Sequence, residues 1–126
     1  MARLLLKQSA RPEASSRARR LVQAITPDLS PEERGDLALL VTELVNNGVR
    51  HANGRNEHPV MVDVLVCEHR IRVEVRDGGD GFARPDLPDR GEERASGWGL
   101  FLVDALADQW GVDPTQAVVW VEVRRN

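Results

Sequence analysis

The stretch "PEERGDLALLVTELVNNGVRHA", residues 31–52, predicts a long helix at the centre of the fold. Its start carries the expected signals: Ser30 is a good N-cap, Pro31 suits the first turn, and Glu33 stands where a capping box places its carboxylate. An apolar stripe at helical spacing predicts the side that faces the core. The stripe consists of Leu37, Leu40, Val41, Leu44 and Val45.

The last turns of this helix contain residues that a helix interior ordinarily avoids. Two asparagines and a glycine interrupt "ELVNNGVRH", residues 43–51, and an interior glycine costs about 0.5–1 kcal/mol relative to alanine. Glu43, Asn47 and His51 are spaced four apart, so they share one flank of the helix. Oxygen-bearing side chains there indicate a binding surface, and an amide oxygen suits a cation such as Mg²⁺. A solvated helix face explains this segment equally well.

A β-hairpin follows the helix. Residues 60–79, "VMVDVLVCEHRIRVEVRDGG", alternate in two arms, Val60–Cys67 and Ile71–Val75, around a tight turn at Glu68–Arg70. Alternation with a period of two is typical of antiparallel strands with one buried face. We therefore predict two paired strands, the second leading into a glycine-rich segment.

The flanking segments complete an α+β pattern. Near the N terminus, "RLLLKQ" predicts an edge strand and "PEASSRARRLVQAI" a helix, while "LFLVDALADQW" after Gly99 predicts a third helix and "AVVWVEV" a final strand. The order β-α-α-β-β-loop-α-β predicts a two-layer α+β sandwich with helices on one face of a mostly antiparallel sheet. The inward positions of the first and third helices are Ala14, Ala18, Leu21, Val22, Ile25, Leu100, Val103, Leu106 and Ala107.

The composition limits the class of protein. A chain of 126 residues fits one domain, so we take 1–126 as a single unit. Its net charge of −3 argues against a protein that coats nucleic acid. The single lysine, Lys7, excludes the phosphate-loop signature, and the single cysteine, Cys67, excludes a disulfide framework and a cysteine metal cage. Without a signal peptide or a bilayer-spanning run, we expect a cytoplasmic protein.

Most of the glycines lie in or beside one long predicted loop. Six of the ten glycines lie in the range 78–99, where the sequence is charged and lacks periodicity. A loop of this length in a small domain is usually functional or disordered. At its start, Asp77 ends a strand and is followed by Gly79 and Gly81, which let a backbone pass close to a flat ligand. Ordinary Asp-Gly turns have the same composition.

The end of this loop is the segment "SGWGL", residues 96–100. Gly97 and Gly99 precede a helix, and the first N–H groups of a helix are available to phosphate oxygens. Plain N-capping by Ser96 accounts for the same residues.

Taken in order, "ELVNNGVRHA", "VRDGGDGF" and "SGWGLFLVDALADQWGV" resemble the N, G1 and G2 boxes of the GHKL ATP-binding superfamily. Within it the chain is most similar to the small anti-sigma-factor serine kinases of Gram-positive bacteria. The resemblance covers nearly the whole chain. It implies the Bergerat fold, with ATP between the helical layer and a lid at about residues 80–97.

The resemblance also implies roles for single residues. Asn47 would hold Mg²⁺ against the triphosphate, and Glu43 would be the catalytic carboxylate that accepts the proton of an attacking serine. Asp77 would accept a hydrogen bond from the adenine amino group, with Gly79 and Gly81 giving the base room.

In the third box, Gly97 and Gly99 would lend backbone N–H groups to the phosphates, with Trp98 and Leu100 beside the nucleotide. Arg94, just before this box, occupies a place where related kinases carry an arginine near the terminal phosphate. Phosphoryl transfer needs positioning and charge neutralisation, which a metal ion, an arginine and a ring of amides supply.

The chain differs from the family pattern near its last strand and inside two boxes. Relatives usually carry a glycine-lysine-threonine-like turn at the adenine end, where this chain has Gln116, Ala117 and Val118 after Thr115. Trp98 replaces a smaller or basic residue. Gly48 stands where the family usually has alanine, and we interpret it as widening the space beside Asn47.

The expected function is that of an ATP-dependent serine/threonine-protein kinase that binds a sigma factor and phosphorylates an anti-sigma-factor antagonist. The expected cofactors are ATP and Mg²⁺, with protein partners, no direct nucleic-acid or membrane contact, and a homodimer left open. The alternative is an ATP-binding or pseudokinase module that sequesters a partner without phosphotransfer. A histidine-kinase catalytic fragment is disfavoured, because His51 lies inside the N box and no upstream helix offers a phosphoacceptor histidine.

Overall fold

The computed structural model describes residues 2–9, 11–25, 28–52, 59–77, 98–113 and 118–125. Five strands and three helices lie within these ranges. In chain order they are β1 Ala2–Gln8, α1 Ala14–Ile25, α2 Pro31–Ala52, β2 Val60–Val66, β3 Arg70–Asp77, α3 Trp98–Leu106, β4 Gln109–Asp113 and β5 Val118–Arg124.

The strands form one sheet in the order β1-β2-β3-β5-β4, and every neighbouring pair is antiparallel. The strand β1 is an edge strand, as predicted, and β4 is the opposite edge. Helix α2 packs against α1 and α3 and against the central strands β2 and β3. The predicted α+β sandwich with a mostly antiparallel sheet is confirmed.

The core lies between the sheet and the helices. Alternate residues of β2 and β3, such as Val62 and Val73, are buried against the helical layer, as period-two strands with one covered face require. The predicted stripe of α2 is buried, with each of its five residues at most 2% exposed. No helix in the described ranges combines the length and apolar character needed to cross a bilayer.

The predicted capping box closes the start of α2. The Ser30 backbone N–H donates to Glu33 Oε1 at 3.0 Å, and the Glu33 backbone N–H donates to Ser30 Oγ at 3.1 Å. Two N–H groups at the helix start are thereby satisfied. The helix begins at Pro31 and ends at Ala52, the predicted bounds.

A second set of bonds ties the same helix end to the end of β5. Arg125 Nε donates to Glu33 Oε2 at 3.2 Å, and its guanidinium also donates to the carbonyl oxygens of Cys67 at 2.7 Å and Asp28 at 3.4 Å. The Arg125 backbone N–H donates to the His69 carbonyl at 2.8 Å. We call this group of contacts the Arg125 clamp.

In helix α1, one of the predicted core positions is wrong. Ala14, Ala18 and Val22 are at most 3% exposed, whereas Leu21 is 39% exposed. These three residues recur every four positions and form a narrow stripe, and Leu21 lies about 100° from Val22 around the helix, at the border of that stripe. The predicted inward positions Ile25 and Leu100 belong to described helices, but their side chains lie outside what the structure describes.

The third helix is shorter than predicted, because the segment read as its last turn forms β4 instead. Helix α3 ends at Leu106, and Gln109–Asp113 pairs with β5. The Asp108 backbone N–H donates to the Glu122 carbonyl at 2.9 Å, which starts the strand pairing. Trp110 Nε1 donates to the Asp104 carboxylate at 2.8 Å across the corner. Pairing with the next strand along the chain therefore overrides the helical pattern that continues to Trp110.

Packing against Trp120 explains why position 111 of this edge strand is a glycine. A Cβ built there would lie 3.0 Å from Trp120 Cζ2 on the neighbouring β5. The Trp120 ring also lies 4.8 Å from the Arg72 guanidinium, which pairs with Glu122 at 2.6 Å. Charged and half-buried side chains thus line this face of the sheet, while the opposite face packs against the helices.

Candidate functional site

The C-terminal half of α2 places polar side chains beside the core. Asn47 is only 5% exposed, and Glu43, one turn earlier on the same flank, is half-buried. Burying an amide is costly unless its hydrogen-bonding groups find partners. Asn47 takes part in a polar interaction, as a buried amide requires. Its burial beside the core distinguishes this position from an ordinary solvated helix face.

Gly48 brings this part of α2 close to the sheet. A Cβ at position 48 would lie 3.2 Å from Val60 Cγ1 and 3.4 Å from Val75 Cγ1. The first distance is shorter than an ordinary carbon–carbon contact, and the second is at the short end of the ordinary range. Close packing against these strand valines, rather than room beside Asn47, accounts for the glycine.

The end of β3 lies next to this contact. Val60 is the register partner of Asp77, the last residue of β3. Because Val60 also contacts the Gly48 position, the end of β3 lies close to the helix segment that carries Asn47. The backbone of Asp77 is described, whereas its side chain lies outside the description.

The other end of the loop also leads to α2. Trp98, Gly99 and Leu100 are the first residues of α3, and α3 packs against α2. The first N–H groups of a helix have no partner within the helix, so this end is suited to bind anions. The structure describes the backbone of these three residues and not their side chains.

Several predicted site residues lie outside the described ranges. They are Gly79, Gly81, Arg94 and Gly97, between β3 and α3 in the sequence, and Thr115, Gln116 and Ala117 before β5. Val118 is described: it opens β5, is 5% exposed, and pairs with Arg76 and Asp113. At this position the chain has a buried strand residue.

The structure places the segment of α2 that carries Asn47 and Gly48 close to the end of β3 at Asp77. Helix α3, which begins at Trp98, also packs against α2. A groove at the opposite end of α2 contains none of the predicted site residues. It is lined by Ser30, Glu32, Glu33, Asp36, Leu37, Leu40, Ile71, Val123 and Arg124.

The described side chains limit the ways in which this domain could bind a metal ion. In the described ranges, no group of three or more His, Cys, Asp or Glu side chains is placed to bind one. Mg²⁺ commonly keeps several waters and is held by one or two protein oxygens together with substrate phosphates. The side-chain oxygen of an amide such as Asn47 fits that mode of binding.

The fold and the candidate site together define an α+β sandwich domain in which the helix that carries Glu43 and Asn47 packs against β3 and α3. Residues 8–123 match the family described as the histidine kinase-like ATPase domain. The chain belongs to this family.

Known proteins of this family are similar to the chain over most of its length. The serine-protein kinase RsbW of Listeria monocytogenes serotype 4a is 31% identical over 122 residues, which cover 84% of this chain and 76% of the relative. RsbW of Oceanobacillus iheyensis is 30% identical over 116 residues, with 82% and 73% covered. The predicted resemblance to the anti-sigma-factor kinases of the GHKL superfamily is confirmed.

A solved structure supports the fold independently. The crystal structure of the RsbU and RsbW domains of a Mycobacterium tuberculosis protein superposes with a TM-score of 0.70 at 15% identity. The match covers 100% of this chain and 32% of that chain, so this protein spans about a third of its length. At this identity the likeness shows the fold alone.

Proposed function

We propose that the protein is an ATP-dependent serine/threonine-protein kinase of the cytoplasm that binds a sigma factor and phosphorylates an anti-sigma-factor antagonist. Its family of histidine kinase-like ATPase domains and the serine-protein kinases among its relatives support this proposal. In this proposal residues 1–126 act as one domain with a lid at about 80–97.

One structural observation carries the proposal. Glu43 and Asn47 share a flank of α2, one turn apart, and the same part of α2 lies against the strand that ends at Asp77. A carboxylate, a metal-binding amide and the start of a nucleotide-binding loop would therefore be adjacent. A solvated helix face would leave these side chains exposed, whereas Asn47 is 5% exposed.

The chemistry assigned to these residues is a phosphoryl transfer. The serine oxygen of the partner forms a bond to the terminal phosphorus of ATP, the bond from that phosphorus to the bridging oxygen breaks, and ADP leaves. Glu43 accepts the serine proton, as a general base within hydrogen-bond reach can. Bound Mg²⁺ supplies charge neutralisation for the phosphates. Asn47 would hold the ion.

The remaining site residues are assigned through the family resemblance. Asp77 would accept a hydrogen bond from the adenine amino group beside Gly79 and Gly81. Backbone N–H groups at the start of α3 would bind phosphate oxygens, a role assigned to Gly97, Trp98, Gly99 and Leu100. Arg94 would neutralise the terminal phosphate.

The binding step is tested by calorimetric titration of ATP with and without Mg²⁺. Asn47→Ala should weaken Mg²⁺-dependent ATP binding by about 10–100-fold, as the loss of a metal-site group does. Asn46→Ala is the matched control: it removes the neighbouring, half-buried amide and should leave the affinity unchanged. Undiminished affinity in Asn47→Ala would remove this residue from the site.

The transfer step is tested with labelled ATP and a candidate antagonist protein of the sigma-factor pathway. Phosphoserine on the antagonist, formed only with the active protein, is the expected product.

A module that binds ATP without transfer is the second candidate. Val118 favours it, because a buried strand residue stands in the region where relatives usually carry the adenine-end turn. ATP binding and partner capture without phosphoserine would establish this alternative.

A further inference from the structure

Gly48 is an unusual residue for the interior of a helix, because it is buried and also favours helix formation poorly. It is a buried residue of α2 with the lowest helix propensity apart from proline, and it follows directly after Asn47 in the chain. We infer that Gly48 is a positioning residue that sets how closely α2 approaches β2 and β3, and thereby fixes Asn47 relative to the strand end at Asp77. This inference rests on the proposed ATP site.

A methyl group at Gly48 would make one contact shorter than ordinary and two ordinary contacts, so it would require a small local shift. A Cβ would lie 3.2 Å from Val60 Cγ1, 3.5 Å from Val60 Cγ2 and 3.4 Å from Val75 Cγ1. Val60 and Val75 are both 0% exposed, and the β-branched side chain of valine has restricted χ1 rotation in a strand. Because these side chains are enclosed, we expect α2 to take up part of that shift by moving away from the sheet.

The position of this contact connects it with the site. Val60 pairs in register with Asp77, and Val75 lies two residues before Asp77 on the same strand. A shift of α2 at Gly48 would change the separation between Asn47 and the end of β3, where the long loop begins. Displacements well below 1 Å matter in such sites, because a misplacement of about 1 Å can reduce the rate about 100-fold.

A second glycine in the same helix separates this effect from helix propensity. A Cβ added at Gly35 would have no atom within 4 Å, so alanine fits there without displacing α2. Both substitutions raise the intrinsic helix propensity by the same amount. Only the substitution at Gly48 meets the sheet.

The experiment measures Mg²⁺-dependent ATP affinity by calorimetry and thermal unfolding of the nucleotide-free protein, for the full chain and its variants. Gly48→Ala should weaken ATP binding about tenfold while the protein stays folded, since overpacking displaces the helix. Gly35→Ala should raise the melting temperature and leave the affinity within about threefold of the original. Equal affinity in Gly48→Ala and the unmodified protein would overturn the inference.

Rescue distinguishes positioning from a general loss of stability. Val60→Ala removes both methyl carbons that meet the added Cβ, so Gly48→Ala/Val60→Ala should recover affinity to within about threefold of Val60→Ala alone. A folded double variant that still binds as weakly as Gly48→Ala overturns the inference. If Gly48→Ala does not fold by itself, the double variant decides the question. Failure of the unmodified protein to bind ATP refutes the proposed function instead.

Discussion

The two ends of α2 are built differently. At its start, the capping box of Ser30 and Glu33 and the Arg125 clamp satisfy the polar groups with protein partners. Toward its other end, Asn47 is buried beside a glycine that packs against the sheet. The first arrangement is typical of a helix end that stabilises the fold, and the second contains the residues that we propose bind the nucleotide.

The comparison predicts that substitutions at the two ends have separable effects. Changes near Glu43 and Asn47 should alter nucleotide chemistry and leave stability nearly unchanged, whereas changes at the clamp should alter stability and leave nucleotide affinity unchanged.

The largest expected effect of any substitution is the loss of phosphotransfer rate in Glu43→Gln. The amide cannot accept the serine proton, so phosphotransfer to the antagonist should fall by about 10²–10⁴-fold, the usual contribution of a general base. ATP affinity should be retained, because the variant keeps the size of the side chain. Single-turnover transfer of labelled phosphate measures the first quantity and calorimetry the second. Transfer at the original rate would show that Glu43 is not the base.

The next largest expected effect is the loss of stability in Arg125→Ala, at the start of α2. This change removes hydrogen bonds to the Glu33 carboxylate and to the Cys67 carbonyl, and should lower the free energy of unfolding by about 1.5–3 kcal/mol. Urea denaturation measures the loss. Arg124→Ala is the matched control, since it removes an exposed arginine from the adjacent position.

A pH dependence should accompany the clamp. The Ser30 backbone N–H and the Arg125 guanidinium stabilise the charged form of Glu33 and lower its pKa below the ordinary value of 4.5. A lowered pKa in the folded state adds stability above pH 4.5, and this stability is lost as the pH falls through the folded value. Unfolding free energies of the original protein and Glu33→Gln should therefore converge as the pH is lowered below 4.5. A constant difference would contradict the assignment.

The smallest effect is expected for Gly35→Ala. The position is an exposed helix site with open space around it, so alanine should raise the free energy of unfolding by about 0.5–1 kcal/mol. Urea denaturation should show the gain, and a loss of stability would contradict the open environment of this glycine.

Features encoded locally were predictable from the sequence. The bounds of α2 followed from its capping box and apolar stripe, and the hairpin followed from the alternation around Glu68–Arg70. These signals depend on residues within a few positions of each other.

Features that depend on pairing or contact between separate elements were not predictable. The strand β4 exists because β5 offers it a partner, and the apolar sequence up to Trp110 is equally compatible with a helix. The Arg125 clamp joins residues about ninety positions apart in the chain. Likewise, only the register of β2 and β3 connects Gly48 with the end of β3.

For the candidate site, the sequence predicted the flank shared by Glu43 and Asn47, because helical spacing alone places them together. The roles of Asp77, Arg94 and the loop glycines came from the family resemblance and stay predictions. The burial of Asn47 required the packed structure, since periodicity cannot tell a covered flank from a solvated one.

The sheet order has a consequence for how the chain acquires its structure during synthesis. The strand β5 is the last described strand to leave the ribosome, yet it lies inside the sheet between β3 and β4. Until it emerges, β4 has no strand to pair with and Arg125 cannot reach Glu33. A nascent chain that stalls before Val118 would therefore expose the edge of β3, and ribosome-bound chains of increasing length should become resistant to protease only after β5 is complete.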